Sequence, residues 1–159
     1  MNAGAVVIGN TYTISDASIF DLVGIWRLEQ ACFPKDAYDL FTLLNLALAP
    51  NVMRLKAVID NRLVGFLAGE AVRYERAGWI ITIGVSPRYQ GRGIGRLLLS
   101  SAEQAMRSRI ASMKLTVRRS NTRAIALYEH TGYRWISTYR AYYHDGEDGL
   151  IMEKDLTMA

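Results

Sequence analysis

The chain has 159 residues, 50% of them apolar and 21% charged, with a net charge of +4. That is enough for one domain with one core, in the composition of an ordinary globular protein, and no apolar run approaches the roughly 18 residues of a transmembrane helix. Ala5-Val6-Val7-Ile8 is too short for a signal-peptide core and follows no basic segment. The single cysteine, Cys32, excludes an internal disulfide and suits a reducing, cytoplasmic setting. His130 and His144 have no ligand-spaced partners, so no metal site is expected.

Tyr12-Thr13-Ile14 reads as a first strand. Asp16 or Ser18 can cap a helix over 19–31, with Ile19, Leu22, Ile25, Trp26 and Leu28-Glu29 at helical spacing. Phe33-Pro34 breaks it. Asp36 is then expected to cap a second helix carrying Tyr38, Phe41, Leu44 and Leu48, which Pro50-Asn51 ends. The stretch 54–59 alternates, Asp60-Asn61 signals a two-residue turn, and 63–72 follows as its partner strand. After Ala77-Gly78, the near-continuous apolar run 79–85 predicts a central strand buried on both faces. A glycine turn leads into a helix with Leu98, Ala102, Ala105 and Met106 on one stripe. Lys114-Leu115-Thr116-Val117-Arg118 is a strand. Asn121 caps a helix over Ala124, Ile125, Leu127 and Tyr128, and Gly132 ends it. Strands over 133–143 and 150–156 flank the loop Asp145-Gly146-Glu147-Asp148-Gly149. The order β-α-α-β-β-β-α-β-α-β-β predicts a three-layer α/β domain with a mixed sheet.

The turn Gln90-Gly91-Arg92-Gly93-Ile94-Gly95-Arg96 joins that central strand to the helix after it. Such a turn aims backbone N–H groups at one place, with the positive end of a helix dipole behind them. A Walker loop would need Gly-Lys-Ser/Thr, and Ile94 and Arg96 follow Gly93 and Gly95 instead. A dinucleotide fingerprint would need a third glycine where Leu98 or Arg96 stands. Residues 88–123 hold nine of the nineteen Lys and Arg and one acid, Glu103, so this window is +8 and the remainder −4. A field of that sign favours an anionic ligand. It lacks the aromatic interleaving of a nucleic-acid surface, so no nucleic-acid partner is expected.

Gln90-Gly91-Arg92-Gly93-Ile94-Gly95 resembles the pyrophosphate turn Q/R-x-x-G-x-G/A of the GNAT superfamily of acyl-CoA-dependent N-acyltransferases. The stretch from Leu115 to Tyr133, with Val117-Arg118-x-Ser120-Asn121-x-x-Ala124-Ile125-x-Leu127-Tyr128, is similar to that superfamily's second signature. It looks closest to the branch that acetylates protein N-termini, including ribosomal-protein alanine. Tyr142-Tyr143-His144 to Met152 and Cys32-Phe33-Pro34 also resemble segments of those enzymes, so the likeness covers most of residues 12–156. It implies one GNAT domain over residues 1–159, an α/β/α fold whose mixed sheet is centrally splayed.

The resemblance also implies a reaction. Acetyl-CoA would be the donor, and a protein or peptide N-terminal amine the acceptor, by direct attack on the thioester. A lysine side chain or a small amine is the alternative acceptor, with Asp145, Glu147 and Asp148 as a possible acidic pocket. A non-catalytic acyl-CoA sensor is the alternative of another class; neither nucleic acid nor membrane is implied as a partner. By resemblance Gly91, Arg92, Gly93, Ile94, Gly95 and Arg96, with Gln90, bind pyrophosphate. The backbone of Ile83, Gly84 and Val85 pairs with pantetheine, and Asn121 contacts the cofactor. Tyr128 is the general acid for the departing thiolate. Phe33, Asp36, Tyr38, Tyr142 and Tyr143 line the acceptor groove. Thr116 stands where relatives carry a catalytic Glu, and Lys35 where some carry an acid. Glu70 or Asp36, through water, is then the expected base, with Glu75 a further carboxylate. An α-amine with a reference pKa of about 8 needs only a weak one.

Overall fold

The computed structural model describes residues 6–8 and 12–158; Ala5 lies outside them. The elements are β1 (Val6–Ile8), β2 (Tyr12–Asp16), α1 (Leu22–Cys32), α2 (Leu40–Leu48), β3 (Val52–Ile59), β4 (Arg62–Val72), β5 (Ala77–Val85), α3 (Ile94–Met106), β6 (Ser112–Arg118), α4 (Thr122–His130), β7 (Arg134–Tyr139) and β8 (Gly149–Asp155). The strands order as β1-β2-β3-β4-β5-β6-β8-β7. The β5–β6 pair is parallel, while the β1–β2, β2–β3, β3–β4, β6–β8 and β7–β8 pairs are antiparallel. The sheet is therefore mixed, as expected, with β1 as an added strand ahead of the expected order. Two compact units divide the chain: Met1–Glu70 with Ile81–Ala105, and Ala71–Ile80 with Met106–Ala159.

In the first unit, Ser18 begins the helical segment by a box with Asp21. The Ser18 N–H and hydroxyl both donate to Asp21 Oδ2, at 2.8 and 3.2 Å, and a short 3-10 turn leads into α1. Asp39, not Asp36, caps α2: its backbone is extended and its Oδ1 accepts from the Thr42 N–H at 2.7 Å. Asp36 instead lies in the turn after α1, with its N–H on the Phe33 carbonyl at 3.1 Å. Asp60 and Asn61 take φ of 46° and 61°, the left-handed pair a tight β3–β4 turn requires.

The strand buried throughout its middle is β4, over residues 64–69, whereas Trp79, Ile81 and Ile83 of β5 stay half-buried. Packing above and below β4 accounts for this correction. On one face Phe66 and Ala68 join a core with Ala17, Ile25, Leu28, Leu43 and Val52. On the other, Gly65 seats α3, for a Cβ there would lie 3.0 Å from Leu98 Cδ1 and 3.2 Å from Ile94 Cγ2.

In the second unit, β5 pairs with β6 at Ala77↔Ser112, Gly78↔Met113 and Trp79↔Lys114. This ladder of three pairs is short for strands of nine and seven residues. Met113, Leu115 and Val117 alternate into a core with Tyr133, Ile151, Met152 and Leu156. Asn121 caps α4, accepting from the Ala124 N–H at 3.2 Å, and Gly132 follows its end at φ +99°. The last hairpin departs from expectation: β7 stops at Tyr139, and Ala141 turns to φ +49° with its N–H on Asp148 Oδ1 at 3.0 Å. A left-handed residue held by a carboxylate ends the extended run that the tyrosines suggested.

Candidate active site

The glycine turn belongs to the first unit. Pro87–Tyr89 form a 3-10 turn after β5, and Gly91 and Gly93 take φ of +79° and +84°. Leu97 N–H closes the first α3 turn on the Gly93 carbonyl at 3.0 Å. The N–H groups of Ile94, Gly95 and Arg96 therefore precede any intrahelical acceptor. Ile94 is fully buried and anchors the helix start, while a Cβ on Gly93 would meet nothing within 4 Å. Arg88, Arg92 and Arg96 are exposed around it. Arg92 lies over the Tyr89 ring at 5.1 Å. Open backbone donors, a helix dipole and three guanidinium groups suit a pyrophosphate. The Gln90 side-chain amide donates to the Val85 carbonyl at 3.0 Å.

The same unit carries the end of β5 and the loop after α1. Ile83, Gly84 and Val85 are half-buried. A Cβ on Gly84 would lie 3.2 Å from Cys32 Sγ and 3.3 Å from Phe33 Cε2, so the loop packs onto the strand there. Cys32 donates to the Val85 carbonyl at 3.3 Å. Burial, and then the negative Glu29, push the Cys32 thiol up to about 11, and a protonated thiol is a poor nucleophile. Phe33, Asp36 and Tyr38 are half-buried in this loop. Glu70 is half-buried near the end of β4, opposite Val52 of β3, two and four residues beyond Ala68 and Phe66 on the same face.

One buried acid was not singled out from sequence. Glu29 on α1 is only 4% exposed. The Thr82 hydroxyl donates to its Oε1 and the Tyr38 N–H to its Oε2, at 3.4 Å. Burial raises its pKa, against the lowering effect of those two bonds. The signal was present: Glu29 falls four residues after Ile25 and seven after Leu22, on the apolar stripe.

In the second unit, Tyr128 is buried on α4, its ring 5.9 Å from Tyr133. Burial first, then the neighbouring Tyr143, push its hydroxyl far above the ordinary range, so it stays protonated at any working pH. Tyr142 is exposed, stacked on Tyr139 at 5.5 Å and edge-on to Tyr143 at 5.0 Å. Thr116 is half-buried on β6, opposite Ile151, and its methyl carbon lies 2.7 Å from where a Cβ on Gly149 would sit. Glu75 is engaged by Trp79 Nε1 at 3.1 Å and Lys114 at 3.3 Å; the Trp79 bond chiefly keeps its carboxyl below the usual range.

The loop between β7 and β8 is an ion-pair network. Arg118 reaches Asp145 at 3.0 Å and Glu147 at 2.6 Å, and lies 4.0 Å over the Tyr143 ring. Glu147 also accepts from the Ser120 N–H at 2.7 Å, and Asp148 meets Arg119 at 3.5 Å. Lys114, Arg118 and Arg119, three of the nine cations in the basic window, are thus ion-paired to acids outside it.

Residues 22–133 match the model of the acetyltransferase (GNAT) family. The chain is 41% identical over 154 residues to the ribosomal protein bS18-alanine N-acetyltransferase of Escherichia coli K12, covering 92% of this chain and 99% of that one. It is 33% identical to the Salmonella typhimurium enzyme of the same name, with the same coverage. The crystal structure of the E. coli ribosomal-protein-S18-alanine N-acetyltransferase superposes with a TM-score of 0.83 at 30% identity, over 93% of this chain and 96% of that one. Related over nearly its whole length to such enzymes, the chain belongs to the GNAT family, acetyltransferases that move an acetyl group from acetyl-CoA to an amine.

Proposed function

We propose that the acceptor is the N-terminal α-amine of a protein or peptide, of the ribosomal-protein alanine type. One observation carries the choice over a cationic small amine. Asp145, Glu147 and Asp148 are held by Arg118, Ser120, Arg119 and Ala141. The β7–β8 loop therefore offers tyrosines rather than free carboxylates. A polyamine site needs unpaired acids; a peptide end needs contact area and hydrogen-bonding groups, which Tyr142 and Tyr143 supply in this loop. The names of the E. coli and Salmonella relatives support the same acceptor.

Bound acetyl-CoA supplies the acetyl thioester. The backbone of residues 91–96, with Arg92 and Arg96, holds its phosphates. Ile83 and Gly84 offer backbone groups to the pantetheine arm, and Val85, whose carbonyl already accepts from Cys32 and Gln90, offers its N–H. Asn121 adds a contact beside its cap. Phe33, Asp36, Tyr38, Tyr142 and Tyr143 hold the acceptor. Tyr128 gives its proton to the departing sulfur, whose thiol pKa lies well above neutrality. Glu70 or Asp36, through water, takes the proton from the amine. Glu75, already doubly engaged, is a poor candidate. A reducing cytoplasm suits the free Cys32.

The test is thiol release from acetyl-CoA over a panel of peptides with free N-termini, peptides with a blocked N-terminus and internal lysine, and polyamines or amino sugars. Turnover confined to free α-amines is expected. Faster turnover on lysine side chains or small amines would overturn the assignment.

A further inference from the structure

Glu29 lies where three segments of the first unit meet. It projects from the last turns of α1, and its two oxygens receive the Thr82 hydroxyl of β5 and the Tyr38 N–H of the loop after α1. Both side chains are buried, 4% and 7% exposed. Two residues along β5, the space above Gly84 is filled by Cys32 and Phe33, and the next carbonyl, that of Val85, takes the Cys32 thiol. The loop that carries Phe33, Asp36 and Tyr38 is thus fastened to one face of β5 at Thr82, Gly84 and Val85. The Glu29 contact reaches forward to the Tyr38 N–H, five residues beyond Phe33, where the Gln30 side-chain amide also donates to the Tyr38 carbonyl at 3.5 Å.

A carboxylate is an unfavourable group to bury. Replacing a whole buried polar pair by apolar side chains of similar size is often neutral or stabilising, whereas removing one member leaves its partners unsatisfied. What an apolar side chain cannot do is accept two hydrogen bonds from two segments at once. Both acceptor atoms sit on one rigid, planar group, so the loop's position is referred to that of the strand.

We propose that Glu29 is a positioning residue, which sets the acceptor-binding loop against β5 through Thr82 and the Tyr38 amide. The proposal rests on the reading of Phe33, Asp36 and Tyr38 as acceptor contacts. Glu29 does not itself exchange a proton with substrate. Its role predicts an effect on the acceptor and not on acetyl-CoA.

The test compares E29L, E29Q, T82V and T82S. In E29L and T82V, the KM for a peptide amine should rise at least tenfold, with the KM for acetyl-CoA within twofold of wild type. E29Q and T82S should stay within threefold for both, because a glutamine amide can accept from Tyr38 and donate to Thr82, and serine keeps the hydroxyl. Hydrogen exchange at the Tyr38 amide, read without substrate, should speed at least tenfold in E29L. T82V, a near-isosteric change, carries the test if E29L does not fold. Unchanged Tyr38 exchange together with unchanged peptide KM would overturn the proposal. So would a hundredfold loss of kcat in E29Q at constant peptide KM, since that would make Glu29 the proton acceptor. If the wild type acetylates no α-amine, the acceptor assignment fails, and the exchange measurement still decides whether Glu29 fastens the loop.

Discussion

Gly93 and Gly146 form a matched pair for testing the glycine turn. Both have φ of +84°, and a Cβ on either would meet nothing within 4 Å. Alanine at either site therefore introduces the same backbone strain and no protein clash. Holding an L-residue in the left-handed region costs about 1–2 kcal/mol. For a domain of this size each kcal/mol lowers Tm by about 2–4 °C, so both G93A and G146A should melt about 2–8 °C lower. Ligand binding should separate them. If phosphate oxygens approach the turn's N–H groups, the methyl at residue 93 occupies their space. The Kd for acetyl-CoA should then rise at least tenfold in G93A, a loss of about 1.4 kcal/mol. G146A should bind within a factor of two of wild type. Thermal melts of the free proteins and isothermal titration with acetyl-CoA give both numbers. Equal Kd values for the two variants would refute the pyrophosphate cradle, whatever the melts show.

Other outcomes follow from single contacts. Tyr128→Phe should lower kcat by about a hundredfold or more, the range of a lost general acid, with the fold retained by circular dichroism. Because burial and Tyr143 hold the Tyr128 hydroxyl protonated, the wild-type kcat should show no alkaline limb from this group below pH 10. Cys32, raised to about 11 by burial and then by Glu29, should react with iodoacetamide at pH 7.5 at least tenfold more slowly than free cysteine; rapid labelling of the folded protein would contradict the site's geometry. Asn121→Ala should destabilise by about 1 kcal/mol in urea melts, and Asn121→Ser by only a few tenths, since serine also caps. Gly65→Ala should destabilise by about 1–3 kcal/mol, because its methyl would meet Leu98, Ala57 and Ile94 at 3.0–3.2 Å.

Features spanning a few residues were legible in the chain. The Asp60-Asn61 turn, the Asn121 cap, the Gly132 terminus and the left-handed glycines of the 90–96 turn all depend on contacts between residues no more than five apart. From β2 onward the order of strands and helices followed from hydrophobic period. Where local signals competed, the reading slipped. Asp36 and Asp39 are both good caps, and the backbone at 33–37 turns back on itself through the Phe33 carbonyl, leaving the cap to Asp39.

Composition could not say which apolar strand is enclosed on both faces. The run 79–85 is the more continuous one, yet β4 receives α3 on one side and the α1–α2 core on the other. Nor could the sequence say which carboxylates are available. Asp145 and Glu147 lie 27 and 29 residues from Arg118, and Glu29 lies 53 residues from Thr82. The glycine turn proposed to hold the donor was therefore written locally, with a geometry that six residues specify. Which acids are engaged was decided by tertiary contacts, because an acid's role depends on what the distant chain brings against it: Glu29 held by Thr82 and Tyr38, and the loop acids paired with Arg118 and Arg119.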